Sequence, residues 1–278
     1  MPIITLTTDF GEKDHFSGAV KGAIYSELEN IKIVDVSHSI SPFNIIEAAY
    51  TIQNAYSSFP KGTIHIIGID SEISPENKHI AIKLDEHYFI CANNGIMSMI
   101  CQDIAPEKIV EINIHDKIET SFPVLDVFVK VACHIARGGT LEVIGKVINK
   151  IKPLKYLVPF VNDEQTQIIG TVIHVDNYGN VITNIKRKFF ENIQKTRSYE
   201  ISARNYKFKK VNERYNDVVN FEVPEEKRND EGKSMVVFNS SNYLEIAVYK
   251  SNCSTVGSAS TLMGLKPMDT VTVTFSKT

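Results

Sequence analysis

Ile3-Ile4-Thr5-Leu6-Thr7-Thr8-Asp9-Phe10-Gly11 begins as a short β-rich run and breaks into a loop at an acid. Phe16, Ala19, Val20, Ala23, Ile24 and Leu28 then recur at helical spacing, so the segment reads as strand, loop and amphipathic helix. A second unit of the same kind follows. Ile33-Val34-Asp35-Val36 is its strand, and Ile45, Ala48, Ala49, Ile52 and Ala55 form the apolar stripe of a helix introduced by Pro42. Residues 63–69 supply a third strand. Strands alternating with helices predict an α/β fold whose mostly parallel sheet is covered on both faces, with ligands beyond the carboxyl ends of the strands. Residues 79–84 and 88–91 predict a hairpin across Asp85-Glu86-His87, and residues 125–137 a last helix stopped by Gly138-Gly139.

Past Lys150 the texture changes. Lys152-Pro153 and Pro159 punctuate a linker over 151–166, and beyond it come only β-like runs at 168–175, 181–185, 235–238, 244–248 and 271–275. The expectation is an α/β domain over 1–150 and an all-β, barrel-like domain over 167–278. Residues 222–232 are charged and nearly free of hydrophobes, which predicts a solvated loop. Lys186-Arg187-Lys188 reads as a solvated face, since no second basic cluster extends it.

The 278 residues, 43% hydrophobic and 23% charged, have an ordinary globular composition. Thirty basic against thirty-three acidic residues leave no basic excess for a nucleic-acid backbone. No window approaches the ~18 apolar residues of a membrane span, and Met1 to Phe10 lack a basic leader, so a cytoplasmic protein without a membrane partner is expected. Cys91, Cys101, Cys133 and Cys253 are far apart with no CxxC pair, and the histidines lack HxH or HExxH spacing. Neither a disulfide framework nor a metal site is expected.

Two strand ends carry acids. Asp9, with Asp14 five residues on, stands where the first strand opens, and Asp70 stands where the third does. A carboxylate there can accept hydrogen bonds from both hydroxyls of a vicinal diol; capping of the helix near His15 is the alternative for Asp9 or Asp14. Asp176-Asn177-Tyr178-Gly179-Asn180 has the composition of an ordinary hairpin turn.

Six segments occur in an informative order. They are TTDFG at 7–11 with Asp14, then Ser37-His38-Ser39-Ile40-Ser41-Pro42-Phe43, the Asp70 strand end, Asn93-Asn94-Gly95, DNYGNVITNI at 176–185, and Asn239-Ser240 before Tyr243-Leu244-Glu245-Ile246-Ala247. Together they resemble the S-adenosyl-L-methionine (SAM) hydroxide adenosyltransferases, the SAM hydrolases related to SAM-dependent fluorinases and chlorinases. The resemblance implies SAM as substrate with no cofactor, and hydrolysis to adenosine and L-methionine by water attack at C5′. It also implies a homotrimer that binds SAM or adenosine between one subunit's N-domain and its neighbour's C-domain. Asp9 matches the ribose-diol carboxylate, and Phe43 and Phe122 match aromatic positions around the reacting carbon. Asp176 and Ser240 match residues at the methionine end, and Asn180 one at the adenine.

The chain departs from that pattern at two places. Hydrolases of the family orient water with an Asp, Arg and His set. Asp70 matches the Asp, but Asn77 stands at the Arg position and Pro123 at the His position. Asp70 and Asn77 are the candidate catalytic pair. Binding without catalysis is one alternative, and halide transfer is another, disfavoured by a carboxylate beside an anionic nucleophile.

Overall fold

Five of the six residues of β1 (Ile3–Thr8) are buried, because this strand lies inside a sheet and has neighbours on both edges. In this computed structural model, which describes residues 2–101, 104–114, 120–154 and 158–276, the chain divides into two units, Met1–Leu154 and Lys155–Thr278.

In the first unit, α1 (Phe16–Glu27) leads to β2 (Lys32–Ser37), and α2 (Ile45–Ala55) leads to β3 (Ile64–Gly68). The hairpin of β4 (His79–Leu84) and β5 (His87–Ala92) is followed by α3 (Ile96–Ile100), β6 (Lys108–Ile112), a π-helical turn at Val124–Phe128, α4 (Val129–Ala136) and β7 (Gly145–Val147). The strand order is β2-β1-β3-β5-β4-β6-β7. The β2-β1-β3-β5 half is parallel and carries the alternation read from the sequence, while β4, β6 and β7 extend the sheet antiparallel. Asp85 and Glu86, at φ 49° and 62°, make the two-residue turn of the hairpin, so β5 starts at His87. Val20 and Ile24 of α1 share one core with Val129, Ala132 and Cys133 of α4 and with Ile4, Leu6, Ile64 and Ile66 of the sheet. Because β1 leads outward to β2 and the chain then crosses back to β3, the crevice beyond β1 and β3 is where an open α/β sheet takes its ligand.

In the second unit, β8 (Phe160–Val161) pairs with β9 (Gln167–Val175), although residues 151–166 read as linker. There follow β10 (Val181–Lys186), α5 (Arg187–Gln194), β11 (Tyr199–Ala203), β12 (Tyr206–Phe208), β13 (Ser234–Phe238), β14 (Tyr243–Val248), α6 (Ala259–Met263) and β15 (Thr270–Phe275). The order β12-β11-β15-β9-β10-β14-β13 is antiparallel throughout, giving the barrel-like sheet. The expectation of strands alone misses α5 and α6. The basic run that reads as a solvated face instead enters α5: Arg187 lies 4.8 Å over the Phe238 ring, and Phe190 is buried edge-on against Tyr199, Phe238 and Phe275. No helix among the described residues is long and apolar enough to cross a membrane.

Candidate active site

At the end of β1 the chain turns at Gly11, whose φ of 70° suits glycine and whose N–H donates to the His38 carbonyl at 2.7 Å. Asp9 points across to the next loop, where its Oδ2 accepts the Phe43 N–H at 2.8 Å. It does not cap α1: the residue before that helix is His15, with no side-chain cap bond, and Asp14 is exposed. Phe43 itself sits at φ 62° and is 72% exposed. Asn44 locks its far side, with Oδ1 accepting Glu47 N–H at 3.2 Å as the cap of α2. Beneath this loop, Thr8 Oγ1 meets His38 Nδ1 at 2.7 Å, His38 Nε2 lies 3.0 Å from Asp35 Oδ1, and Lys21 Nζ reaches Asp35 Oδ2 at 2.6 Å. Burial opposes the charge on Asp35, but Lys21 and His38 outweigh it and hold the carboxyl below its ordinary pKa.

Asp70 follows β3 at φ 45°, a left-handed conformation uncommon outside glycine. Asn77, where the sequence reading expects an Arg, donates its Nδ2 to the backbone carbonyls of Asp70 at 3.0 Å and Glu72 at 3.1 Å.

These loops, with Ser121-Phe122-Pro123, line a cleft of about 440 Å³. Phe10, Phe16 and Phe122 form a triangle of rings with centroids 5.3 to 5.7 Å apart, two of the three contacts edge-on. Pro123 opens the π-helical turn at 124–128, a device that re-aims a helix at functional sites. The described lining residues hold three carboxylates, Asp9, Asp70 and Glu72, and no Lys or Arg. Such a wall of π faces and negative charge favours a cation and disfavours an anion.

The second unit has its own cavity of about 490 Å³, lined by Asp176, Tyr178, Asn180, Tyr215 and the 248–252 segment. Asp176 Oδ1 accepts the N–H groups of Tyr178 at 2.9 Å and Asn180 at 2.8 Å, and its Oδ2 accepts Asn180 Nδ2 at 3.0 Å. Because a carboxylate only accepts, that last bond fixes the Asn180 amide; its Oδ1 is left buried with no hydrogen-bond partner among the described residues. Glu245, also buried, accepts Tyr215 Oη–H at 2.8 Å and Asn239 Nδ2–H at 3.1 Å. Burial pushes its carboxyl above the ordinary range, and Asp176 adds to the push, against those two hydrogen bonds.

The first cleft therefore brings together Asp9, Phe43, Asp70 and Phe122, and the second cavity Asp176 and Asn180. Asp14, Asn77 and Ser240 line neither. Sequence reasoning assigns no role to Phe10, Phe16 and Ser121 in the first cleft or to Tyr178, Tyr215 and Tyr249 in the second, and weighs Glu72 only as a solvated loop residue that could stand in for the missing Arg. Phe10 was visible within TTDFG, whereas nothing local marks Tyr215, whose partner Glu245 lies 30 residues away. No group of three or more His, Cys, Asp or Glu among the described residues is arranged to hold a metal.

Family profiles match both units: the SAM hydroxide adenosyltransferase N-terminal domain over residues 4–145 and the C-terminal domain over 170–272. The chain belongs to the SAM hydroxide adenosyltransferase family. Among its relatives is an (R)-S-adenosyl-L-methionine hydrolase of Methanocaldococcus jannaschii, 30% identical over 91% of each chain. A fluorinase of Actinopolyspora mzabensis is 23% identical over 68% of this chain and 73% of its own. A crystal structure of an uncharacterized conserved protein from Thermotoga maritima superposes with a TM-score of 0.80 at 27% identity, covering 99% of this chain and 100% of the other. This member carries acids, Asp9 and Asp70, after β1 and β3, and has Asn77 and Pro123 at the positions where the sequence reading expects Arg and His.

Proposed function

We propose that the chain hydrolyses S-adenosyl-L-methionine to adenosine and L-methionine. The observation that carries this reading is the cationophilic cleft itself, in which a strand-end carboxylate, Asp70, shares aromatic walls with a second, Asp9. Asp9 accepts hydrogen bonds from the ribose diol through the oxygen that Phe43 does not occupy. Phe43 and Phe122 flank C5′ and keep bulk water out. Water attacks C5′ in line with the sulfonium, the C5′–S bond breaks, methionine leaves as a neutral thioether, and Asp70 takes the proton lost by the water. A leaving group that already bears positive charge needs no acid, so the absence of a donor at Pro123 does not block departure. Asp176 and Ser240 serve the methionine end, and the buried Asn180 Oδ1 accepts an N–H of the adenine.

The division of these residues between two units supports a homotrimer in which one protomer's first unit and its neighbour's second unit enclose the ligand, covering the exposed Phe43. Free thiols at Cys91, Cys101, Cys133 and Cys253 suit a cytoplasmic setting.

Incubation of purified protein with SAM, followed by chromatography, tests the reading. The expected products are adenosine and methionine, formed at a rate indifferent to chloride, with Asp70→Asn abolishing turnover while sparing affinity. Chloride-dependent 5′-chloro-5′-deoxyadenosine would establish halide transfer instead. Asn77 and Pro123 in place of the expected Arg and His favour a second reading, binding without catalysis; tight SAM binding with no product after long incubation would establish it.

A further inference from the structure

Asp70 has no hydrogen-bond or ion-pair partner for its carboxylate among the described residues, so its aim is set by its backbone. That backbone is in an unusual state. At φ 45° it is left-handed, a region where a residue with a Cβ persists only when its surroundings hold it. A relaxation to the extended region would turn the Cα–Cβ bond away from its present direction.

The holding groups are side chains. Asn94, buried in the turn after β5, donates Nδ2 to the Ile69 carbonyl at 3.0 Å and approaches the Asp70 carbonyl at 3.5 Å. Asn77 Nδ2 bridges the carbonyls of Asp70 at 3.0 Å and Glu72 at 3.1 Å. His79, at the start of β4, donates Nε2–H to the Ser71 carbonyl at 2.8 Å. Four consecutive carbonyls, 69 to 72, thus end on side-chain donors rather than on a strand ladder. The two asparagines are themselves immobilised. Asn94 Oδ1 accepts the Ile96 N–H at 3.2 Å, and the Asn77 N–H donates to Ser74 Oγ at 3.0 Å within a tight turn closed by Ser74 N–H to the Asn77 carbonyl at 3.2 Å.

We infer that Asn77 and Asn94 are positioning residues for Asp70, clamping the carbonyls of residues 69, 70 and 72 so that the carboxylate stays aimed into the cleft. The catalytic half of this inference rests on the hydrolase reading; the conformational half does not. At the position where its family is expected to carry a guanidinium, this chain uses an amide that works on the main chain.

The test has two arms. In the kinetic arm, Asn77→Ala and Asn94→Ala lower kcat for SAM about tenfold or more while KM stays within about twofold, because a misaimed base loses reaction geometry and not binding. Asn77→Leu, which keeps the size and removes the donor without adding a charge, behaves as Asn77→Ala and serves where the alanine variant does not fold. In the thermal arm, Asn77→Ala lowers the unfolding midpoint by roughly 2–6 °C in the wild-type background. In an Asp70→Gly background, where glycine adopts the left-handed conformation unaided and no strain is released when the clamp goes, the same change lowers the midpoint further, by at least a degree more. Equal drops in the two backgrounds overturn the inference, as does a KM effect with kcat unchanged. The thermal arm reads the clamp whether or not SAM is turned over, so absence of turnover in the wild type defeats the hydrolase reading alone.

Discussion

Asp9 commits Oδ2 to the Phe43 amide and so ties the two loops that form one wall of the first cleft. Its role in the proposed site is accordingly double: it accepts the ribose hydroxyls and it holds the backbone of an aromatic residue in a left-handed conformation. Removing it costs a charge-assisted hydrogen bond to the ligand, about 1.5–3 kcal/mol, which corresponds to roughly 10- to 100-fold in affinity. Asp9→Ala is therefore expected to weaken adenosine and SAM alike by that factor in calorimetry, since both carry the ribose. Equal binding by wild type and variant would remove Asp9 from the ligand site. Asp14 is exposed and lines neither cavity, and the same substitution there is expected to leave adenosine affinity within about twofold.

Between β3 and β5 the sheet buries a pair of histidines away from the cleft. Thr5 Oγ1 meets His65 Nδ1 at 2.7 Å, His65 Nε2 meets His87 Nδ1 at 3.2 Å, and Tyr56, Phe59 and Phe89 wall the His65 ring. Burial first, and then the neighbouring His87, pushes His65 down to about 3 from an ordinary 6.5, and burial also lowers His87. Both folded-state values lie below the unfolded one, so the unfolded chain takes up protons first as the pH falls. Stability is complete above pH 6.5 and is lost below it, for His65 by up to about 1.4 kcal/mol per pH unit until its folded value is reached. Urea unfolding of the first unit between pH 7 and pH 4 should show this slope, and His65→Gln should flatten it; an unchanged slope would assign acid sensitivity elsewhere. Neither histidine stands out in the sequence, because each occupies a strand position otherwise taken by apolar residues. Elements that depend on local pattern were legible: β1, α1, α2 and the β4–β5 hairpin follow from periodicity and turn chemistry. α5 was not, since Arg187 and Lys188 at its start mask an amphipathic helix whose apolar face is little more than Phe189, Phe190 and Ile193. At the site, the strand-end acids were legible from their place after β-rich runs. The clamp on Asp70 and the Tyr215–Glu245 contact were not, because they join residues distant in the chain through groups that look like ordinary loop polarity.

On the scale of the whole molecule, each unit presents a cavity of its own: carboxylates and aromatic rings line the first, a fixed amide and a carboxylate the second. The proposed trimer completes a site by drawing its halves from two protomers, and this has a consequence that a site within one protomer lacks. Asp70→Asn disables the first unit and leaves the second intact, whereas Asp176→Ala disables the second and leaves the first intact. In a cyclic trimer containing both variants, one of the three interfaces joins two undamaged halves, whatever the ratio of the two chains. Random co-assembly from equal amounts makes about three quarters of the trimers mixed, so co-expressed variants should recover about a quarter of wild-type SAM hydrolysis. The same variants purified separately and combined without exchange of subunits should stay inactive, which separates complementation from residual activity. Recovery near a quarter would show that halves from different chains make the site, and inactivity of verified mixed assemblies would confine it to single protomers. A wild-type chain that runs as a monomer in sedimentation would defeat the trimer before the mixing is tried.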